Sequence, residues 1–328
     1  MKEIGGYFEL ETFKGRDYYP GLIKLNLGRT AAVHYLLETG RREVFLPHFL
    51  CASVADAVRN SGIRINRYRI KQDMTPDPAD LPEGPLSDEQ CLFLLNPYGL
   101  LTDAQIAEIR DIWRQVLCDF THAFFQRPVP GTAALTSVRK FFGVTDGAYL
   151  ASDRPISLPQ RQDESHARFS HVLGRYERSA GEFYREMLDN AHSYEGALPL
   201  RMSPLTENIL RGIDYEAAAS ARMRNFLRLD EMLGRYNELA LSGVLRVPDV
   251  GPFVYPMLVK DGPAVRRKLA AGKIYVPTYW NNVITENPED SIEYRFAADI
   301  LALPCDHRYD GDDMERVAEA VLRHIGTK

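Results

Sequence analysis

Short apolar runs alternate with stretches of helical periodicity through the first half of the chain. Glu43-Val44-Phe45-Leu46-Pro47 predicts a strand closed by proline, a helix follows from about Ala52 to Asn60, and Gly62 ends it. Ile63 to Ile70 predicts a second strand. Pro76, Pro78, Pro82 and Pro85 then mark a surface loop without periodicity. Cys91 to Leu95 is apolar throughout, as strands of a parallel sheet are, and it runs into the turn Asn96-Pro97-Tyr98-Gly99. Thr102 caps a helix through about Arg114, with Ile106, Ile109 and Trp113 at helical spacing. Val116-Leu117-Cys118 is the next buried strand, and Asp119 stands at its carboxyl end. This alternation predicts an α/β fold: a mostly parallel sheet with helices on both faces.

Before and after that block the pattern changes. Residues 1–24, with Gly5-Gly6 and Pro20-Gly21, predict an irregular arm, and Gly28 opens a helix to about Glu38. Beyond Arg161 the chain predicts a helix over 165–192. A second helix runs from Ser203-Pro204 towards Leu233, interrupted at Gly212. Residues 244–259 alternate weakly, as in an antiparallel sheet. Pro263 starts a helix, Ile274-Tyr275-Val276-Pro277 predicts a strand, and Ile300 to Pro304 leads into a last helix from Asp312 to about His324. The expected division is a large domain over 1–212 and a smaller C-terminal α+β domain over 213–328.

Composition narrows the function. Of 328 residues 45% are hydrophobic, enough for a sizeable core, and the net charge of −5 is spread without a basic stripe. Nucleic acid is therefore not an expected partner. The four cysteines, Cys51, Cys91, Cys118 and Cys305, lie far apart without metal-ligand spacing and read as free thiols of a reducing compartment. With no apolar leader and no membrane-length apolar run, the expectation is a soluble, cytoplasmic protein.

The chemistry concentrates between Gln115 and Leu150. Asp119 ends a buried strand, where ligands bind in open α/β sheets. Ser137-Val138-Arg139-Lys140 places a lysine in a short loop before the strand-like Gly147-Ala148-Tyr149-Leu150. An amine in apolar surroundings has a depressed pKa and attacks carbonyls. A lysine and a carboxylate brought to one site suit pyridoxal phosphate (PLP): the amine forms a Schiff base, and the acid keeps the pyridine nitrogen protonated. The plainer reading also stands. Strands often end in Asp, and a lysine beside phenylalanines commonly snorkels at the surface. Gly28-Arg29-Thr30 likewise reads either as an anion site at a helix start or as an ordinary helix cap with a solvated arginine. Tyr275, Tyr279 and Trp280, with Asn281-Asn282, either line a polyol site or pack in a core. His34 reads as a packed or exposed side chain, and 286–293 as a solvated loop and helix start.

Three stretches fall in one order: the helix-start Gly-x-Thr, the Asp-x-x-His strand end, and Ser-x-x-Lys before a glycine-containing strand. In that order, and with the closing segment Leu303-Pro304-Cys305-Asp306-His307-Arg308-Tyr309 and Asp312-Asp313-Met314-Glu315-Arg316-Val317, the sequence resembles the DegT/DnrJ/StrS-type aminotransferases. These are fold-type-I PLP enzymes best known for aminating keto-sugars on nucleotides. The resemblance covers residues 22–150 well, 250–328 fairly and the middle poorly. It implies that Lys140 carries PLP, that Asp119 lies under the pyridine nitrogen, and that His122 sits near the phenolic oxygen. By the same resemblance Gly28, Arg29, Thr30 and Ser137 hold the phosphate and Asn96 and Tyr98 form a turn facing the cofactor; Tyr98 is taken as a substrate residue, and so is Trp280 on the polyol reading of its aromatic segment. An amino donor, Glu or Gln, a keto acceptor and a homodimer with a shared active site are implied too. A dehydratase branch with histidine in place of the lysine is disfavoured by Lys140. The sequence departs from the family pattern where an aromatic ring stacks on the cofactor: Cys51 takes that place, with His48 and Phe49 as alternatives. The asparagine before an Arg-Met pair is absent ahead of Arg201-Met202, and Arg29 stands as a compensating phosphate ligand. These departures keep open a non-catalytic, PLP-fold regulator or partner subunit.

Overall fold

The computed structural model describes residues 4–239, 241 and 250–325. Its centre is a seven-stranded sheet in the order β1-β7-β6-β5-β4-β2-β3. The strands are β1 (Ile23–Leu25), β2 (Glu43–Pro47), β3 (Arg64–Tyr68), β4 (Gln90–Leu95), β5 (Val116–Asp119), β6 (Ala133–Ser137) and β7 (Ala148–Ala151). Strands β3, β2, β4, β5 and β6 run parallel, and β7 turns back antiparallel to both β6 and β1. Every residue of β5 and β6 is buried, because helices cover both faces of the sheet. The apolar runs that predicted strands are these strands.

Helix α1 (Gly28–Glu38) follows β1, α2 (Ala52–Asn60) follows β2, and α3 (Asp103–Trp113) joins β4 to β5. Thr102 and Gln105 form a reciprocal cap at the start of α3, which fixes that boundary where the sequence places it. Leu25 pairs with Ala148, and Ala148 pairs with Ser137. The ends of β1 and β6 are therefore level, and the start of α1 emerges beside Ser137.

The second half differs in part from expectation. The helix expected over 165–192 is a single turn at 166–168, then α4 (Ser170–Glu177) and α5 (Tyr184–His192). Arg178 leaves helical geometry, and the Phe183 ring folds back onto Gly174, where a β-carbon would collide with it. The next helix divides at Gly212 as expected, into α6 (Pro204–Leu210) and α7 (Tyr215–Leu233); the Phe13 ring packs against that glycine. Helix α8 (Gly262–Ala271) ends with Ile274 N–H donating to Leu269 O, and 274–277 then runs on with no partner strand among the described residues. The strand expected there is absent, and Tyr275 is exposed. A two-stranded antiparallel sheet pairs β8 (Tyr255–Leu258) with β9 (Ile300–Leu303). Of the 244–259 segment, 244–249 lies outside the described residues. Helices α9 (Asn281–Glu286), α10 (Ile292–Asp299) and α11 (Gly311–Leu322) complete the order.

The main core fills both faces of the large sheet; a second cluster joins Phe226, Leu229 and Leu233 of α7 to β8, β9, α8 and α11. The first residues of the arm are irregular, with Tyr7 and Phe8 almost fully exposed, but Tyr18 and Tyr19 pack on Phe124. The expected arm thus ends in an edge strand. His34 is buried with Nε2 2.7 Å from Ser157 O. Glu293, expected in a solvated stretch, is buried and accepts the Ile70 N–H at 2.7 Å. Among the described residues no helix is long and apolar enough to cross a membrane.

Candidate active site

The parallel strands deliver their carboxyl ends to one edge of the sheet, and a cavity of about 110 Å³ lies there. It opens into a larger cleft of about 990 Å³, with Arg29, Cys51, Ser53 and Trp280 on the shared rim. Gly28, Arg29, Cys51, Asp119, His122, Ser137, Lys140 and Trp280 all line the inner cavity, together with Thr121 and Arg139. Residues far apart in the chain meet because β1 and β6 end at the same level and β5, beside β6, ends two residues short of it, with Asp119 opposite Leu135.

Asp119 is buried, and its Oδ1 accepts the Thr121 N–H at 2.8 Å. Burial raises its pKa to about 6, against the pull of the Thr121 hydrogen bonds and of the Lys140 charge. The next residue that matters is His122. Its Nδ1 accepts from the Tyr98 N–H at 3.4 Å, which leaves the proton on Nε2. That Nε2 is buried and has no partner. Burial, with the Lys140 charge, holds the imidazole neutral well below its ordinary pKa. Phe253 stacks on the ring at 4.3 Å and Trp280 at 5.6 Å, so the imidazole plane is fixed.

Lys140 closes a single turn after β6. Val138 N–H donates to Gly147 O across the β6–β7 connection, and Phe141 and Phe142 N–H both donate to Val138 O. Arg222, from α7, is buried and braces the same turn. Its guanidinium donates to Phe141 O at 3.0 Å, to Pro252 O at 3.1 Å and to Phe253 O at 3.3 Å. Lys140 itself makes no ion pair; its Nζ lies 5.7 Å from the Tyr279 ring centre. Its side chain has surface open to the cavity yet is ringed by protein, and the ring of protein sets the direction of its pKa. Desolvation and the Arg139 charge lower it, while Cys51 and Asp119 oppose them and Arg29 adds to the lowering. The open surface limits the size of the shift.

At the other end, α1 begins with Leu27 as cap, which offers no side-chain acceptor. Its first-turn N–H groups and the helix dipole therefore face the cavity as anion ligands. A β-carbon on Gly28 would lie 3.5 Å from Thr121 Oγ1 and 3.7 Å from the Ser137 β-carbon, so the hydroxyls of both neighbour that helix start. Cys51 caps α2, its Sγ 3.1 Å from Ser53 Oγ. Asn282 ties this corner to the Trp280 segment, donating to Leu50 O at 3.0 Å and accepting from Ala52 N–H at 3.3 Å.

Three of the expected site residues lie behind the cavity wall. Thr30 is buried and its hydroxyl is committed to Asn26 Oδ1 at 2.6 Å, so only its backbone N–H belongs to the helix start. Asn96 is a turn brace: it accepts from Leu101 N–H at 2.8 Å and donates to Gln126 Oε1 at 2.7 Å. Tyr98 is buried at a positive φ of 57° and meets the site through His122, by its backbone N–H and by its ring, which stacks on the imidazole at 5.7 Å. Of the residues proposed to face the cofactor, Cys51 lines the cavity, whereas Phe49 is buried behind it against Trp280 at 5.4 Å. Tyr275 lies elsewhere, in a cleft with Arg175, Lys273 and Arg316. Sequence reasoning missed Thr121 and Arg139 as lining residues. An Asp-x-Thr at a strand end signals the first, since Asp favours a bond to the backbone two residues on.

These groups fit PLP. A helix start with free N–H groups and two hydroxyls suits a phosphate, a buried carboxyl suits a ring nitrogen, and the partnerless Nε2 of His122 is a donor without an acceptor. Arg29, Arg139 and Lys140 bring three cations to the cavity against one carboxylate, Asp119.

No protein-family model matches the sequence, and no curated protein matches it. Solved structures do. The chain is similar to DesV of S. venezuelae, with 17% identity and a TM-score of 0.61 over 93% of this chain and 85% of that one. A DegT DnrJ EryC1 StrS aminotransferase from Brucella abortus matches with 13% identity and a TM-score of 0.58, over 93% and 86% of the two chains. PseC of Helicobacter pylori, an aminotransferase involved in the biosynthesis of pseudoaminic acid, matches with 11% identity and a TM-score of 0.55 over 92% and 86%. At such identities the likeness establishes the fold, that of the fold-type-I PLP-dependent transferases.

Proposed function

We propose that this protein is a PLP-dependent aminotransferase. It would move an amino group from an amino acid, Glu or Gln, to a keto acceptor, and the resemblance to sugar aminotransferases favours a keto-sugar nucleotide. One observation carries the reading: a lysine amine with no ion-pair partner among the described residues shares one cavity with a buried carboxyl and the open start of a helix. Bound PLP would supply an electron sink for the carbanion formed when the donor loses its α-proton. Lys140 would hold the cofactor covalently through Nζ and, once displaced by the donor, use the same nitrogen to take and return that proton. The lowering of its pKa raises the neutral fraction of the amine, which favours this work. Asp119 would hold a proton on the ring nitrogen, and that positive neighbour in turn favours its ionised form. His122 Nε2–H would donate to the phenolic oxygen. Gly28, Arg29, Ser137 and the backbone of Thr30 would hold the phosphate, and Cys51 would lie against the ring. Trp280, on the rim, would meet the substrate, while Tyr98 and Asn96 position His122 and its turn.

The same reading takes residues 1–212 as the cofactor-binding domain and 213–328 as the smaller one. It takes the assembly as a homodimer in which the arm or the 193–206 loop of one chain approaches the other chain's cavity. Tyr7 and Phe8, exposed on the arm, are apolar surface suited to a partner. Sedimentation across a hundredfold dilution tests this, and a fully active monomer at every concentration rules out a shared site.

Borohydride reduction in the presence of PLP, followed by peptide mass mapping, tests the central assignment. The adduct is expected on Lys140 and lost in Lys140→Ala. An adduct on Lys24, Lys71 or Lys260 instead overturns it; Lys24 is already paired with Asp17 and Glu207. An absorbance band that shifts on adding Glu distinguishes an enzyme from a PLP-fold protein without activity.

A further inference from the structure

Arg139 directly precedes Lys140, and the chemistry described so far uses only its charge, in lowering the Lys140 pKa, and none of its hydrogen-bond donors. Its side chain reaches the inner cavity, where its Nε is buried without a hydrogen-bond partner. The nearest buried acid is not available to it. Asp146 accepts from Ser203 N–H and Ser203 Oγ, each at 2.8 Å, and from the Thr206 hydroxyl as well. Among the described residues no carboxylate lies within ion-pair distance of Arg139 or of Arg29. The two guanidiniums nevertheless feel each other's charge, and both bear on Lys140.

The guanidinium of Arg139 is also held in place. It lies 5.1 Å over the Tyr194 ring, and Arg168 lies 4.9 Å from the same ring. The Tyr194 hydroxyl donates to Thr145 O at 2.9 Å, and Arg168 donates to Asp163 at 2.8 Å. The ring is thus a fixed platform, and it aims the guanidinium instead of neutralising it. One held cation and a second, Arg29, repel one another beside a helix start with free N–H groups and the hydroxyls of Ser137 and Thr121; Asp146 offsets Arg139 only from a distance, and a doubly charged anion between the two would relieve the repulsion.

We infer that Arg139 and Arg29 form a two-pronged clamp for a phosphate monoester dianion, closing over the helix-start cradle from the side of the lysine loop. Resting on the proposed cofactor, this makes Arg139 a ligand of the PLP phosphate and Tyr194 the residue that positions it. A guanidinium presents a planar fork of N–H donors that matches phosphate oxygens, which a lysine at the same position lacks.

Equilibrium binding of PLP and of pyridoxal, which lacks the phosphate, to the purified full chain tests the clamp. Arg139→Gln should weaken PLP about tenfold to a hundredfold more than it weakens pyridoxal, since both share any change at Lys140 and only the phosphate arm loses a charge-assisted bond. Arg139→Lys should fall between, and Arg29→Gln should show the same selectivity. Equal losses for both ligands, or no loss for either, overturn the clamp while leaving the cofactor assignment standing. Inorganic phosphate is the independent probe: it should raise the melting temperature of the wild-type chain and not that of Arg139→Gln. This arm decides the clamp even if the chain takes up neither PLP nor pyridoxal, a result that would sink the cofactor reading instead. A wild-type chain unmoved by phosphate, or an equal shift in the variant, overturns the clamp.

Discussion

Two arginines flank the lysine turn, and the chain treats them in opposite ways. On the α7 side, both terminal nitrogens of Arg222 find carbonyl oxygens of Phe141, Pro252 and Phe253. On the cavity side, Arg139 has an aromatic platform and no hydrogen bond. A cation removed from water is costly unless its donors are met. Arg222 has met most of that cost within the protein and so acts as a rivet. Arg139 has not, and its donors remain available to something else. The same residue type stands on either side of one short turn, buried at Arg222 and half-buried at Arg139; it is structural where the chain supplies acceptors and open to a ligand where the chain withholds them.

The largest expected effect comes from the carboxyl that faces the same cavity. Asp119→Asn should lower transamination by about a hundredfold to a thousandfold, since an amide cannot stabilise charge on the ring nitrogen. Steady-state turnover measures it, and near-wild-type turnover would overturn the role. The variant should also stabilise the cofactor-free chain. The folded pKa of about 6 lies above the ordinary 3.8, so the folded state binds the proton more tightly than the unfolded one. The ionised carboxyl therefore costs stability fully above about pH 6 and not at all below pH 3.8. The gain in Asp119→Asn should approach roughly 3 kcal/mol at neutral pH and vanish in acid, as read by denaturant unfolding at several pH values.

The comparison of the two arginines breaks or holds next. Arg222→Met should cost the free chain about 3 kcal/mol, because three buried carbonyl oxygens lose their donor. Arg139→Gln should change the ligand-free stability by no more than about 1 kcal/mol, as no hydrogen bond is lost. Equal losses in urea titrations would erase the distinction.

A smaller effect concerns the amine. Lys140 should react with pyridoxal at lower pH than an exposed lysine, because desolvation and the Arg139 charge both favour its neutral form. Arg139→Gln should move that pH profile upward, towards the ordinary 10.5, with Arg29, Cys51 and Asp119 still in place. A profile that stays put would show that burial acts alone. The smallest effect is expected far from the cavity. Arg308 holds Asp306 through Nε at 2.7 Å, but half its side chain is exposed, and Arg308→Gln should cost less than about 1 kcal/mol and leave PLP affinity unchanged.

How much of this was legible follows from the physics of each element. The strands β4 and β5 announce themselves because both faces are buried, and a residue at the end of such a strand points to the sheet edge, so Asp119 could be placed. Lys140 could be placed by its spacing from Ser137. Tyr98 and Asn96 lie one layer deeper than expected, since a turn reads the same in sequence whether its side chains point to a cavity or brace it from behind. Arg139 was passed over because its direction depends on a single turn of tight helix and on Tyr194, far along the chain. The helix over 165–192 fails at a contact between Gly174 and Phe183 that no local propensity encodes. The strand expected at 274–277 had the right residues and no neighbour to pair with among the described residues.

The pairing of Asp119 with Leu135, one strand away from the lysine turn, has a consequence for how such a protein diverges. The distance from acid to amine is measured out by the backbone ladder of β5 and β6, which is blind to the particular apolar side chains that fill the strands. Substitutions from valine to leucine or alanine leave that ruler unchanged. A gained or lost residue does not, because a shift of one position turns every side chain of a strand to the opposite face. Drift in this segment should therefore accumulate as replacements, while its length stays constant.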